Sequence, residues 1–355
     1  MESTENIIPK SRAEQSRAEQ SRAEQSRAEQ SRNPHIQIIR ALCIFTVICI
    51  HTCPNGIAQV IARPFINFGV GVFLFLSGYL TREESWNWPR AWKRIKRVLV
   101  PYIVWTLIYT LLSRRPERLF YNIATASSAA QMYYILVYSQ LVLLTVICCK
   151  LLQSKAGLWV LIIISPLSFL CVRYIQFFGE IDYPNAINVI YGICFIPWIC
   201  YYVFGLWMRK HPEKYSLKGL IPLLIVSILL QIFEGYVWYK CGETNCGSQL
   251  KITSFITTML VCLIFYEIIR RKKSRVTCAF EKFLISVGDY SFGIYLCHIA
   301  VMMVLGEISL YQRIPYIVNS IVVLLISLIC CMVGDKICRR VRLGKTTLSQ
   351  IMGLR

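Results

Sequence analysis

Long apolar stretches separated by short polar gaps fill the chain from residue 36 onward. Several approach the roughly 20 residues that a helix needs to cross the hydrocarbon core of a bilayer. Two are short and contain Gly69, Gly71 or Pro101, which predicts a kinked span or a partly re-entrant segment. The pattern predicts an all-α, polytopic membrane helix bundle with about ten transmembrane helices. The ten stretches cover residues 36–55, 64–80, 98–112, 133–152, 157–177, 187–208, 216–238, 250–270, 283–305 and 314–337.

The first 35 residues differ from the rest because they have no apolar face. Residues 11–32 repeat the pentapeptide SRAEQ four times and end in SR. Such a polar repeat has no surface to bury, so residues 1–35 are predicted to be a disordered tail. The tail also lacks the apolar core of a signal peptide. The remainder divides into a predicted membrane domain, 36–337, and a basic tail, 338–355.

The composition excludes several classes of protein. Hydrophobic residues make up 55% of the chain and charged residues 16%, and the mean hydropathy is +0.50. A soluble domain contains about 25% charged residues. So apolar a chain cannot cover a water-soluble surface, which excludes a soluble enzyme, a disordered protein and a secreted disulfide scaffold.

The basic residues predict the orientation in the membrane. Of the 39 Lys and Arg residues, 31 lie in or beside the two tails, at Arg40 or in alternate gaps, and eight lie in or beside the opposite gaps. Cytoplasmic loops are enriched in Lys and Arg, so both termini are predicted to be cytoplasmic. The net charge of +20 therefore marks one side of a membrane, and no nucleic-acid partner is predicted.

The 16 cysteines do not indicate a metal centre. Most lie inside apolar stretches, where cysteine behaves as a small hydrophobe, and no zinc-ligand spacing occurs. No metal site is predicted. Cys241 and Cys246 stand in a short polar gap that the charge pattern places outside, so they form either a loop disulfide or two free thiols.

Ionisable residues within the spans are the first candidates for function, because burying them in a bilayer is costly. Arg40 and His51 lie eleven residues apart in the first span. This spacing is about three helical turns, so both side chains share a face, separated by roughly 16 Å. The alternative is a flanking arginine with a histidine that reaches the outer interface.

Two further groups stand out. Arg94 and Arg97, with Lys93 and Lys96, form a basic cluster at the cytoplasmic start of the third span. On a helix, residues three apart are neighbours and can hold one polyanion. The alternative is an ordinary basic flank that contacts lipid headgroups.

The third group surrounds His298 in the ninth span, where Tyr290, Ser291 and Tyr295 precede it. It is either part of a site or a hydrogen-bonded packing histidine. Glu234, near the outer end of the seventh span, is either a buried carboxylate of a secondary site or a simple interfacial residue.

The motifs, in this order and spacing, resemble the acyltransferase 3 family of integral membrane proteins. The resemblance covers residues 36–336, and within the family the chain is similar to stand-alone bacterial sugar O-acetyltransferases, such as those that act on enterobacterial common antigen. The motifs are R-A-x9-H at 40–51, GVGVFLFLSGYL at 69–80, KRIKRVLVPY at 93–102, MYYILVYSQLVLL at 132–144 and YSFGIYLCH at 290–298.

The resemblance implies a bacterial inner-membrane enzyme that takes an acetyl group from cytoplasmic acetyl-CoA. The acceptor is expected to be a sugar hydroxyl of a cell-surface or lipid-linked glycan. His51, with Arg40, is the expected catalytic group, acting as a general base or as an acyl carrier. Arg94 and Arg97 are expected to bind the phosphates of CoA.

Two departures from the family pattern and three rival functions remain. Tyr133 and Tyr134 stand where the family usually has Trp–Tyr or Trp–Phe, and no carboxylate partner for His51 is evident. The rivals are a proton-coupled transporter or polysaccharide exporter subunit, a non-enzymatic assembly subunit, and the same enzyme with another acyl group, such as succinyl. Transporters often contain related halves, and no such repeat is evident here.

Overall fold

The computed structural model describes residues 33–82, 86–181, 183–270, 278–309, 311–344 and 346–354. The predicted repeat-bearing tail lies outside these residues, apart from its last three. The helices are α1 (Pro34–Thr52), α2 (Ile57–Ala62), α3 (Gly69–Tyr79), α4 (Trp88–Leu112), α5 (Leu119–Thr125), α6 (Tyr133–Leu151), α7 (Lys155–Ser168), α8 (Ile175–Phe178), α9 (Asn185–Ile193), α10 (Ile199–Lys210), α11 (Leu217–Lys240), α12 (Ile252–Arg270), α13 (Ala279–Asp289), α14 (Ser291–Gly306), α15 (Tyr316–Cys338) and α16 (Leu348–Ile351).

Short irregular elements connect several of these helices. A π-helical segment, Phe169–Tyr174, joins α7 to α8. Turns of 3-10 helix occupy Arg63–Phe65, Pro116–Arg118 and Tyr311–Arg313. Strands β1 (Arg342–Leu343) and β2 (Thr346–Thr347) pair antiparallel just before α16.

The all-α, polytopic prediction is confirmed. In the described part of the chain, eight helical segments are long and apolar enough to cross a membrane, and a ninth is possible if α13 and α14 form one bent span. Both stretches predicted to be short belong to longer segments. One runs from Ile57 to Tyr79, and α4 continues through Pro101 for 25 residues. The stretch 98–112 is shorter than α4 because basic residues interrupt the apolar pattern in the first part of this helix.

The predicted span at 187–208 is instead two helices, α9 and α10, with a non-helical break between them. Pro197 lies in the break and supplies no backbone N–H. In a span, backbone groups freed by a break must find partners in the protein. The Gln140 amide does this, donating to Ile193 O at 2.7 Å and accepting from Phe195 N at 3.2 Å. Ser165 Oγ similarly donates to Ile196 O at 2.8 Å.

Helix α1 lies at the centre of the bundle and packs against α3, α13, α14 and α15. Close helix approach depends on glycine at two crossings. A Cβ at Gly78 of α3 would lie 2.0 Å from Tyr202 O of α10, and one at Gly288 of α13 would lie 2.1 Å from Gln37 O of α1. Small residues at such crossings let helix backbones touch, the usual basis of packing in a membrane.

A buried carboxylate fixes the 78° bend between α13 and α14. Asp335 of α15 is 2% exposed and accepts from Tyr290 Oη, at the bend, at 2.9 Å. Arg339 donates to both carboxylate oxygens, at 2.7 and 2.6 Å. Ser349 of α16 also donates to Asp335. This network anchors the C-terminal segment and the base of α14, the helix that contains His298.

The break between α9 and α10 yields a stability prediction. Gln140→Leu removes the partners of Ile193 O and Phe195 N, and each unsatisfied buried group costs about 1 to 3 kcal/mol. We expect a lower midpoint of thermal unfolding in detergent, followed by tryptophan fluorescence. Gln153→Leu, at an exposed loop position, is the control and should leave the midpoint unchanged. Equal midpoints for both variants would show that the amide does not support the break.

Candidate active site

Two histidines meet inside the bundle. His51 lies in the last turn of α1 and His298 in α14, and their ring centroids are 5.3 Å apart with the planes inclined by 45°. His298 is 0% exposed and His51 is half-buried. The Thr52 hydroxyl lies 2.6 Å from that of Ser320 in α15, which fixes the end of α1 beside His51.

The hydrogen-bond partners of His298 determine which of its ring nitrogens carries the proton. Its Nδ1 lies 2.8 Å from Tyr295 O and 3.1 Å from Ile294 O. Because carbonyl oxygens only accept hydrogen bonds, Nδ1 carries the proton in the neutral ring. Nε2 is then unprotonated, and it is buried without a hydrogen-bond partner among the described residues. His298 therefore holds a free lone pair in the interior, next to the ring of His51.

Tyr109 of α4 fixes the turn of α14 that contains His298. Its hydroxyl donates to Leu296 O at 2.7 Å and accepts from Ala300 N at 3.2 Å. These two backbone groups stand four residues apart and would bond to each other in a regular helix. The hydroxyl thus bridges the helix ladder on either side of His298. Gln131 Nε2 donates to the same hydroxyl at 3.0 Å.

A row of tyrosines extends from the histidines through the bundle. The ring of Tyr295 lies 6.0 Å from that of His298 and 5.4 Å from that of Tyr134 in α6. Tyr134 in turn lies 6.2 Å from Tyr138. We call Tyr295, Tyr134 and Tyr138 the tyrosine row. Residues 134 and 138 are four apart and so share one face of α6.

Arg40 lies at the other end of the tyrosine row from the histidines. It is half-buried, and its charge interacts with Tyr134 and Tyr138 of the row and with Asp289 at the end of α13. Arg40 and His51 belong to the same helix, so α1 presents a cation to one end of the row and an imidazole to the other.

The predicted arginine pair divides between the interior and the surface. Arg94 is 8% exposed. It donates to Thr81 Oγ1 at 2.6 Å and to Tyr138 Oη, in the tyrosine row, at 3.2 Å. Its guanidinium also lies 5.2 Å from the centroid of the Trp86 ring. Arg97 is exposed. The two therefore do not form a single two-pronged clamp, and only Arg94 contacts the row.

Glu234 belongs to a different polar cluster. It accepts from the Tyr174 hydroxyl and from Thr253, whose backbone N–H lies 3.2 Å away. Lys251, which is 1% exposed, interacts with its charge, and burial lowers the pKa of that ammonium group. The structure does not bring Glu234 to the histidines.

Two other sequence features lie apart from the histidines. Cys241 and Cys246 are free thiols, and Cys246 Sγ donates to Gly56 O at 3.4 Å. A cavity of about 230 Å³ contains neither histidine and is lined by Arg173, Gln176, Phe177 and Glu243. Within the described residues, no three His, Cys, Asp or Glu side chains converge as metal ligands.

The residues that connect the candidates carry little signal in the sequence. Tyr138 and Tyr109 lie in apolar stretches where a tyrosine is unremarkable, and Tyr134 stands out only as a departure from a family motif. The four-residue spacing of Tyr134 and Tyr138 was the available signal. The contact of Tyr109 with α14 has no signal in the sequence, because it joins two helices that are distant along the chain.

Comparison with known proteins supports one family. The family model described as an acyltransferase domain (acyltransferase 3) matches residues 33–335, which is most of the chain. No curated protein and no solved structure is significantly similar to the chain.

The contacts of His298 predict its tautomer. In protein labelled with ¹⁵N-histidine, we expect neutral His298 to carry its proton on Nδ1, because both neighbouring acceptors are carbonyl oxygens. The chain contains four histidines, so a His298→Gln sample assigns the resonance. A neutral ring protonated on Nε2 would contradict the described contacts.

Proposed function

We propose that this chain, which belongs to the acyltransferase 3 family, transfers an acetyl group from cytoplasmic acetyl-CoA to a sugar hydroxyl of a cell-surface or lipid-linked glycan. Membership of the family makes it a membrane-bound acyltransferase. The observation that supports the finer proposal is the pairing of His51 with His298 at one end of a polar row, while the cations Arg40 and Arg94 lie at the other end.

The donor enters at the cytoplasmic end in this proposal. The phosphates of CoA need cations, and Arg97 with Lys96 offers exposed positive charge there. Arg94 and Arg40 lie further in, beside the tyrosine row. The tyrosine row suits the pantetheine arm of acetyl-CoA in polarity and in length. The arm contains amides, ends in the thioester and is about as long as the Arg40–His51 separation of roughly 16 Å.

The histidine pair supplies the proton transfer. The unprotonated Nε2 of His298 can accept a proton or a hydrogen bond from the His51 ring, whose second nitrogen then has a lone pair. That lone pair removes the proton from the sugar hydroxyl as its oxygen attacks the thioester carbon. The carbon–sulfur bond breaks, and the CoA thiolate leaves and takes up a proton. In the alternative route, His51 attacks first and carries the acetyl group as an acyl-imidazole.

The acceptor and the location complete the proposal. With the cytoplasmic termini predicted from the basic residues, His51 lies toward the outer side, where a glycan sugar is available. The chain then resides in a bacterial inner membrane as a multi-pass protein, with CoA, the glycan acceptor and lipids as its partners. The family match favours this proposal over a proton-coupled transporter.

Removal of the imidazole tests the catalytic assignment. We expect His51→Ala to bind acetyl-CoA with unchanged affinity but to lose at least about 100-fold in CoA release and acetyl transfer, because general acid–base catalysis contributes at least that much. Binding and turnover are measured on purified protein in detergent. His211→Ala, at an exposed histidine, is the matched control. Substantial turnover in His51→Ala would remove His51 from the mechanism.

The arginines are expected to differ in their effects. Arg97→Ala should weaken acetyl-CoA binding roughly tenfold or more at an unchanged unfolding temperature, because it removes one exposed charge–phosphate contact. Arg94→Ala should weaken binding and also lower the unfolding temperature, since the side chain is buried and bonds Thr81 and Tyr138. The control is Arg118→Ala, exposed in the loop after α4. Unchanged donor affinity in Arg97→Ala would exclude it from the CoA site.

A further inference from the structure

A further cation, Arg63, lies near His51, at the end of the tyrosine row opposite to Arg40 and Arg94. Arg63 follows α2 and begins the 3-10 turn that leads toward α3. Its aliphatic stem lies beneath Gly247, where an added Cβ would come within 2.5 Å of Arg63 Cγ. The side chain is half-buried, and its charge interacts with the ring of His51.

No carboxylate is among the groups that act most strongly on Arg63. These groups are Cys53, Cys246 and Tyr316. Burial raises the pKa of both thiols, so they remain uncharged and do not neutralise the guanidinium. Arg63 Nε is buried and has no hydrogen-bond partner among the described residues.

The two carboxylates that interact with the neighbouring Lys251, Glu234 and Glu243, have partners of their own. Glu234 accepts from Tyr174 and Thr253, and Glu243 accepts from the backbone of Asn245 at 2.9 Å. The positive charge of Lys251 also acts on Arg63 and does not compensate it. Lys251 has Glu234 and Glu243 acting on it, whereas Arg63, at the outer end of α1, has no carboxylate among the groups that act on it most strongly.

A half-buried arginine with an unpartnered Nε and no counter-ion beside it in the described part of the chain points to a ligand. Arginine does not deprotonate in proteins, and a charge that is partly buried without a counter-ion is unfavourable. We propose that Arg63 binds a negatively charged group of the acceptor, a phosphate or a carboxylate attached near the sugar that receives the acetyl group. This inference rests on the proposed function, and it narrows the acceptor from any glycan sugar to an anionic one. The CoA phosphates are not the candidate anion, because the proposed donor site lies at the opposite end of the tyrosine row.

The test compares probes that share a tail and differ in charge. Full-length protein in neutral detergent is titrated with dodecyl β-D-glucoside, dodecyl β-D-glucuronide and dodecyl phosphate, and binding is measured from the rise in unfolding temperature. We expect wild-type protein to bind at least one anionic probe ten or more times tighter than the glucoside. Arg63→Gln should abolish this preference and leave acetyl-CoA affinity unchanged, because the proposed donor site lies at the opposite end of the tyrosine row. Arg118→Gln should behave as wild type.

Further variants separate the charge from its position. Arg63→Lys should retain part of the preference for the anionic probes over the glucoside. Gly247→Ala, which pushes on the Arg63 stem, should weaken anionic binding without removing the charge. Wild-type protein with no preference, or Arg63→Gln that retains it, would overturn the proposal. So would an equal loss of turnover with charged and neutral acceptors in Arg63→Gln, which would indicate a role in the acyl-transfer step itself.

A lipid headgroup is the other source of an anion. If phosphatidylglycerol in mixed micelles displaces the anionic probes and phosphatidylcholine does not, the site belongs to a lipid and the acceptor assignment fails. The proposed enzyme activity fails separately, if wild-type protein neither binds acetyl-CoA nor releases CoA. The binding titrations do not depend on turnover, so they test Arg63 in either case.

Discussion

The interior of an apolar bundle contains little water, so polar groups that the helices expose there must be satisfied by side chains. This constraint explains why the least regular parts of the structure are also the most specifically bonded. Gln140 and Ser165 supply partners at the break between α9 and α10. Asp335 holds the bend before α14, and Tyr109 bridges the helix ladder at His298. Each irregularity is fixed in one arrangement.

The same constraint organises the candidate site. A histidine with a free Nε2 is costly in the interior unless the site uses it, and the backbone carbonyls of α14 keep its proton on Nδ1. Arg94, at the inner end of the tyrosine row, has hydroxyls, a carbonyl and aromatic rings as its partners. Its charge therefore remains available to an anionic ligand. The candidate site has cations at one end, the tyrosine row in the middle and two imidazoles at the other end. This arrangement suits a donor whose phosphates stay at the surface while its thioester extends inward.

Much of this arrangement follows from the sequence, and the rest required contacts between distant helices. Apolar periodicity predicted most spans, but it did not detect the break at 187–208, because Gln140 and Ser165 stabilise it from other helices. Helical spacing placed Arg40 and His51 on one face. It could not bring His298 to His51, since that pairing depends on how α14 packs against α1. The spacing of Arg94 and Arg97 suggested one clamp, whereas packing buries the first and exposes the second.

A cryo-EM structure of the full chain with a non-hydrolysable acetyl-CoA analogue would test the direction of acyl delivery. In this analogue a methylene group replaces the sulfur atom of the thioester. We expect the phosphates beside Arg97 and Arg94, the pantetheine arm along Tyr138, Tyr134 and Tyr295, and the acetyl carbonyl next to His51 and His298. Phosphates bound at the outer end, near Arg63, or an acetyl group far from both histidines would contradict this arrangement.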